Sequence, residues 1–289
     1  MKSGFASSAP EISVGTGFWL TVMAVVCMLL LLAACGPAPP REGTPAFFWA
    51  AAKETYAAGD YMKTIDHLDK ILESDNEFTA RARPWSLLLT SGLASGYMEL
   101  ADKYEAGGKA NKAAPGDFYK RVGAYRSMAN RLTLHFADGF AAFNKGTDET
   151  VTLAFAFPPG SAAPVPQLAT VATGNLLPVA GADAAERRAL ERGILLATVR
   201  SAGAPEDPAK AEQILKESEG KVPRATFVLA MAKSLFEGAQ LYSRQKINDT
   251  TKMTILCQRA LEAIKPLPDS HDKKDLDVEI HLTLQKLTT

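Results

Sequence analysis

One long segment, residues 116–143, has an apolar pattern that only a helix can gather on a single face. Its large apolar side chains recur every three or four residues, the spacing of one side of an α-helix. The stripe consists of Phe118, Val122, Tyr125, Ala129, Leu132, Phe136, Phe140 and Phe143. We interpret it as part of a hydrophobic core, and the alternative is the wall of an apolar ligand groove. His135 lies beside the stripe and is predicted to be a rim or hydrogen-bonded histidine.

Most of the remaining chain also predicts helices. The helical pattern before this segment contains Gly92 and Gly96, four residues apart, where another backbone could approach closely. In the second half, Asp183 and Glu186 have the spacing of a capping box and begin a further helix. The exception is residues 151–157, whose alternation of apolar side chains indicates one extended segment. The sequence therefore predicts an all-α fold.

The predicted helices fall into two halves, residues 45–146 and residues 183–289. Between them lie residues 147–182, of which residues 158–181 are rich in Pro, Ala and Gly and are too long for an ordinary connection. We predict an irregular linker with one extended segment. The alternative is that residues 158–181 form a loop that carries function.

The first two predicted helices form a recognisable pair. Thr44 is placed to cap the first helix, Pro45 occupies its first position, and Gly59 permits the left-handed turn that would end it. The apolar face of the second helix comprises Tyr61, Ile65, Leu68, Ile71 and Leu72. With the Gly-Asp-Tyr turn at 59–61, this pattern resembles a tetratricopeptide repeat. The resemblance implies degenerate helix-hairpin repeats in both halves, each burying its apolar face against the next.

An apolar run near the start of the chain ends in the sequence Leu-Ala-Ala-Cys-Gly at residues 32–36, followed by a proline-rich stretch. This segment resembles the lipobox of a bacterial lipoprotein. The resemblance implies that residues 1–34 are a signal peptide, that Cys35 carries acyl chains such as palmitate, and that residues 35–44 are an extended tether. The protein would then be lipid-anchored in the cell envelope, with the outer membrane, facing the periplasm, as the expected location. The alternative is an uncleaved transmembrane helix.

Composition and motifs exclude several classes of function. The chain has 32 basic and 32 acidic residues, so its charge gives no reason to expect a nucleic-acid partner. Of its three cysteines, Cys27 would leave with the signal peptide, Cys35 would carry lipid, and Cys257 is predicted to be a small core residue. The histidines stand too far apart for a compact metal motif, and no catalytic motif is recognisable. We predict a protein that is not an enzyme and that has no metal or cofactor.

These features predict a binding protein, with two hypotheses for what it binds. The first is an adaptor or assembly factor that contacts an envelope protein, with Phe47, Trp49 and Tyr56 of the first helix as possible partner-binding residues. The alternative for these three side chains is that they belong to the core. The second is a periplasmic small-molecule transport accessory. Residues 118–121, Phe-Tyr-Lys-Arg, are similar to the helical lipoprotein component of tripartite periplasmic transporters. That similarity implies an apolar ligand held in a helical groove or pore.

Overall fold

The computed structural model describes residues 40–205 and 207–288, and these are helical almost throughout. The ten α-helices in this part of the chain are α1 (Pro45–Ala57), α2 (Tyr61–Leu72), α3 (Thr79–Ala110), α4 (Gly116–Phe143), α5 (Pro166–Ala172), α6 (Val179–Ser201), α7 (Pro208–Glu217), α8 (Arg224–Ala239), α9 (Thr250–Ile264) and α10 (His271–Thr288). Two short strands, β1 (Thr150–Thr152) and β2 (Lys221–Pro223), and a 3₁₀ turn at Gln240–Tyr242 accompany them. The predicted all-α fold class is confirmed. The lipobox and Cys35 lie outside the described residues.

Local signals account for the α1–α2 hairpin. The Thr44 hydroxyl accepts a hydrogen bond from the Phe47 amide at 3.3 Å, which caps the first turn of α1. Gly59 makes the turn with φ of +76°, a conformation that glycine adopts without steric cost. The Asp60 side chain then caps α2. The predicted helix pair is present, whereas the stacking of further repeat copies stays a prediction.

Helix α3 lies at the centre of the fold and packs against α2, α4, α5, α6 and α8. Its crossing with α6 brings backbone against backbone. A Cβ atom added to Gly92 would lie 2.6 Å from the Ile194 Cα, and one added to Gly96 would lie 2.8 Å from the Ala189 carbonyl oxygen. Real side chains do not tolerate such distances, so the crossing requires glycine. The predicted close approach at Gly92 and Gly96 is confirmed.

The aromatic stripe of α4 lies in the core. All eight of its members are buried, with Phe118, Phe136 and Phe140 at most 2 % exposed. His135, beside the stripe, is half-buried, and its Nε2 lies 3.1 Å from an Asp69 carboxylate oxygen on α2. This hydrogen bond, more than the charges of nearby carboxylates, raises the pKa of His135. The core interpretation of the stripe and the hydrogen-bonded interpretation of His135 are both confirmed.

The predicted irregular linker, residues 147–182, contains regular structure. Helix α5 lies within it, and α6 begins within it at Val179. Leu168 and Val171 of α5, three residues apart, are buried, and α5 packs against α3. Burial of these two side chains fixes the segment as a helix. The expectation of an irregular linker is wrong at these positions.

Residues 151–157, predicted as one extended segment, begin as a strand and continue without regular structure. Strand β1 pairs with β2 in an antiparallel ladder that sets Val151 opposite Val222. Because β2 directly precedes α8, this pairing ties the segment to helices of the second predicted half. The main hydrophobic cluster likewise contains residues of both predicted halves. The two halves therefore share one core.

Candidate ligand-binding site

The aromatic residues of α1 that were candidates for partner binding are mostly inside the protein. Trp49 is 8 % exposed, Tyr56 is 6 % exposed, and Phe47 is half-buried. The rings of Trp49 and Tyr56 lie edge-on to Trp85 of α3, with centroids 5.4 and 5.3 Å away. Trp49 and Tyr56 therefore belong to the core, the alternative that the sequence also offered, because both pack against Trp85.

A non-helical segment, residues 153–159, crosses the protein beside this aromatic cluster, and we call it the strap. Its start is fixed where the Leu153 amide donates to the Gly220 carbonyl at 2.8 Å. Its middle is fixed by Tyr56, whose hydroxyl donates to the Ala156 carbonyl at 3.2 Å. Phe155 of the strap stacks on Trp85, with ring centroids 5.5 Å apart and planes within 5° of parallel. The strap is therefore held by backbone, hydroxyl and ring contacts together.

A cavity of about 300 Å³ opens between the strap, the α1–α2 turn and α6, and we call it the strap pocket. Five aromatic side chains line it. Four of them contact one another and form its floor, Tyr56, Tyr61, Trp85 and Phe155, and the fifth is Phe157. Its charged lining residues are Lys53, Arg187 and Glu191. An apolar floor with a few charged groups, at this volume, is the usual make-up of a small-molecule site.

The two tyrosines of the pocket are neutral hydrogen-bond donors. Burial, followed by the charge of Glu191, raises the pKa of Tyr61 to about 12. Burial likewise raises the pKa of Tyr56 well above its usual value, with smaller contributions from Tyr61 and Glu191. The Tyr61 hydroxyl donates to a Glu191 carboxylate oxygen at 3.4 Å. Glu191, the carboxylate of the pocket, is thus already engaged with a neighbour.

The two cations of the pocket are exposed and unpaired. Neither Lys53 nor Arg187 forms a salt bridge with any residue in 40–205 or 207–288. The Arg187 guanidinium lies over the α1–α2 turn, where a Cβ atom added to Gly59 would sit 3.2 Å from its Nη1. Because Gly59 has no side chain, there is room for the guanidinium beside the turn. The pocket presents two unpaired positive charges against one engaged negative charge.

A wider groove of about 550 Å³ runs along the other side of the strap. It shares Lys53, Phe155 and Phe157 with the strap pocket and is bordered by α7 and the turn after it. Phe157 packs against a second, smaller hydrophobic cluster that includes Leu195 and Val199 of α6. The two aromatic residues of the strap are thereby anchored in different clusters, and the strap separates the two spaces.

Two other spaces have a different character. A cavity of about 70 Å³ lies between α3, α4, α6 and α8 beside the glycine crossing, too small for more than a few waters. A cleft of about 240 Å³ between α6, α8 and α10 has a charged lining that includes Arg200, Lys233 and Asp275. Arg200 is paired with Glu237 at 2.9 Å. Neither space has an aromatic floor.

Other chemistry is limited in the part of the chain that the structure describes. Cys257 is fully buried, as predicted, and burial raises the pKa of its thiol to about 11. A thiol of this kind is a poor nucleophile at neutral pH. Residues 40–205 and 207–288 contain no group of three or more His, Cys, Asp or Glu side chains placed to hold a metal ion. Within the same ranges, no helix combines the length and apolarity needed to cross a membrane.

Of the residues that line the strap pocket, Tyr56 was the one that the sequence predicted to bind a partner. The other principal lining residues were not predicted to bind anything. Lys53, Phe155, Arg187 and Glu191 come from three distant parts of the chain and form no local motif. The available signal was the alternation of apolar residues at 151–157 and the alternative that the Pro-rich segment after it carries function. No protein-family model matches this chain, and no significant match was found among curated proteins or solved structures.

Proposed function

We propose that this protein is a non-catalytic, lipid-anchored envelope protein that binds a small molecule in the strap pocket. The pocket itself is the observation that carries the proposal: about 300 Å³, floored by four aromatic rings and bordered by two cations that form no salt bridge with any described residue. The burial of Trp49 and Tyr56 favours this function over an adaptor that uses the face of α1. The role corresponds to the small-molecule alternative raised by the sequence, with a different site.

The chemistry of the pocket favours binding over catalysis. Its tyrosines are protonated at neutral pH, since an ordinary phenol pKa near 10 already lies above it and burial raises the pKa of both further. A general base needs a pKa near the working pH and free access to the proton it takes. Tyr56 and Tyr61 lack such a pKa, and the Glu191 carboxylate already accepts the Tyr61 hydroxyl. The pocket is suited to hold a ligand unchanged.

The anchor is a separate part of the proposal and depends on Cys35. Two or three acyl chains on this residue would hold the protein at a membrane, since each buried methylene contributes about 0.8 kcal/mol. Intact mass spectrometry of membrane-extracted protein tests it. We expect a chain that begins at residue 35 with added acyl mass, and its loss in Cys35→Ala. A full-length mass with residues 1–34 attached would contradict the anchor.

Filling the pocket tests ligand binding. Ala57 lines the strap pocket and is exposed on α1, as is Ala50, which lies outside the pocket lining. We expect Ala57→Phe to occupy the space and weaken binding of the neutral probe 2-naphthylmethanol by at least about tenfold. Ala50→Phe adds the same ring to the same helix and should leave the affinity unchanged. Isothermal titration calorimetry with the purified full-length protein measures both, and equal affinities in the two variants would contradict the site.

A second candidate function, the protein adaptor, is favoured by the outer face of α10. Val278 and Leu282, one helical turn apart, are 55 % and 52 % exposed. Exposed apolar residues at this spacing could receive another helix. Crosslinking in cells from a photoreactive residue at position 282, with the exposed position 50 on α1 as control, tests this candidate. A defined adduct from 282 alone would support the adaptor.

A further inference from the structure

We propose that the ligand of the strap pocket is a small planar aromatic carboxylate, whose ring lies on the aromatic floor and whose carboxylate binds Arg187. This inference rests on the proposed function and adds the chemical class of the ligand. It follows from three features of the pocket: the orientation of its rings, its volume and its charge.

The floor of the pocket is arranged for a flat apolar body. Trp85 and Phe155 are parallel, whereas Tyr56 stands nearly perpendicular to both, at 78° and 74°. Trp85 is 1 % exposed and one of its faces is covered by Phe155, so a planar ligand is expected to stack on the half-buried ring of Phe155 beside the edge-on ring of Tyr56, the two arrangements that aromatic groups prefer. The volume of about 300 Å³ lies at the lower end of the range for small-molecule sites, and it accommodates a bicyclic ring system with one substituent.

The charge of the pocket determines the substituent. Arg187 and Lys53 are positive and unpaired within the described ranges, and Glu191 is the one negative charge in the lining. Because Glu191 accepts the Tyr61 hydroxyl, part of its hydrogen-bonding capacity is already used. The guanidinium of arginine presents a planar fork that matches a carboxylate in two parallel hydrogen bonds. Arg187 is the group best suited to bind an acid here.

The same charges select against other ligands of equal size. A cationic aromatic molecule would gain from the ring faces and from Glu191, but it would be repelled by Lys53 and Arg187. A neutral molecule would keep the stacking contacts and lose the ion pair. The expected order of affinity is therefore acid first, neutral second and amine last.

Three probes of one shape measure this order: 2-naphthoate, 2-naphthylmethanol and 2-naphthylmethylammonium. Titration calorimetry on the full-length protein is expected to show naphthoate binding at least about tenfold more tightly than the alcohol, since a charged hydrogen bond is worth at least one factor of ten. In Arg187→Gln, we expect naphthoate to bind only as tightly as the alcohol does, with the affinity for the alcohol unchanged. Arg188→Gln is the matched control, because Arg188 is exposed on the same helix and its Nε donates to the Ala184 carbonyl.

The outcomes separate this inference from the proposed function. If the alcohol and the acid bind equally and Arg187→Gln changes neither affinity, the pocket is a ligand site and the acid preference is wrong. If no probe binds the wild-type protein, and circular dichroism shows that it is folded, both proposals are wrong. If Arg187→Gln and Arg188→Gln weaken naphthoate equally, its carboxylate responds to overall charge and the assignment to Arg187 is overturned.

Discussion

Helix α6 has two contrasting faces. On one face, Gly193 touches α3 with backbone against backbone. Less than two turns earlier, Arg187 and Glu191 line the strap pocket, where long side chains and a non-helical segment leave about 300 Å³ open. One helix thus supplies a rigid contact and the wall of a cavity. The glycine at position 193 allows α6 to pack closely against α3. We infer that this contact holds the adjacent wall of the strap pocket in place.

The largest effect is expected at the closely packed face of α6, at Gly193. A Cβ atom at position 193 would lie 3.0 Å from the Gly92 carbonyl carbon and closer still to its oxygen. We therefore expect Gly193→Val to destabilise the fold by about 3 kcal/mol or more, since overpacking forces backbones apart. Denaturation with urea measures the change. Gly123→Ala is the control, because that exposed helical glycine has nothing within 4 Å and its replacement should stabilise the protein by about 0.5–1 kcal/mol. Equal changes in the free energy of unfolding in Gly193→Val and Gly123→Ala would contradict the close contact at Gly193.

The next effect is expected in the floor of the pocket. Phe155→Ala removes the ring that stacks on Trp85, so we expect a loss of about 2 kcal/mol in stability. The affinity for 2-naphthylmethanol should fall by at least about tenfold in the same variant. Tyr119→Ala removes an exposed ring outside the pocket lining and should change stability by less than about 0.5 kcal/mol without affecting binding. Undiminished binding in Phe155→Ala would show that the strap does not form the site.

A smaller effect is expected from the hydrogen bond between Tyr61 and Glu191. Tyr61→Phe removes the donor and should cost about 1 kcal/mol or less. The pKa of Tyr61 is about 12 in the folded protein, above its ordinary value near 10, so the neutral form is favoured by folding. Its contribution to stability is complete below pH 10 and disappears as the pH rises from 10 through 12. Ultraviolet titration of the phenols, compared between wild type and Tyr61→Phe, should locate this late ionisation. An ionisation of Tyr61 near pH 10 would contradict it.

The smallest effect is expected at His135 and Asp69, a pair that joins α4 to α2 and does not involve α6. The hydrogen bond to Asp69 raises the folded-state pKa of His135 above 6.5. The stabilisation is therefore present below pH 6.5 and is lost as the pH rises through the raised pKa. Because both side chains are more than one third exposed, it should amount to about 0.5 kcal/mol at most. Nuclear magnetic resonance titration should show a lower pKa of His135 in Asp69→Asn than in the wild type. An unchanged pKa would show that the hydrogen bond to Asp69 is not its cause.

The parts of this fold that could be predicted from sequence are those whose information is local. The cap at Thr44, the turn at Gly59 and the stripe of α4 each lie within a few helical turns, so periodicity and capping chemistry are sufficient to find them. Helix α5 was missed because seven residues are too short to show a helical period. Its structure depends on burial of Leu168 and Val171 against α3, which is a tertiary effect.

The strap pocket could not be predicted from the sequence for a related reason. Tyr56 and Phe155 are 99 positions apart in the sequence. Their contact depends on the strap, which is held by one hydrogen bond to the Gly220 carbonyl and another to its own Ala156 carbonyl. Aromatic residues such as Tyr56 were recognisable as candidates, but a single sequence does not tell an exposed ring from one that forms the floor of a cavity. Whether Arg187 has a salt-bridge partner likewise depends on the fold, and among the described residues it has none.

A crystal structure of the full-length protein grown with 2-naphthoate would show whether the strap pocket binds an aromatic acid. We expect electron density for the naphthalene ring against Phe155, with the carboxylate within hydrogen-bonding distance of the Arg187 guanidinium. Density for the ligand in another cavity, or a strap pocket without ligand at saturating concentration, would contradict it.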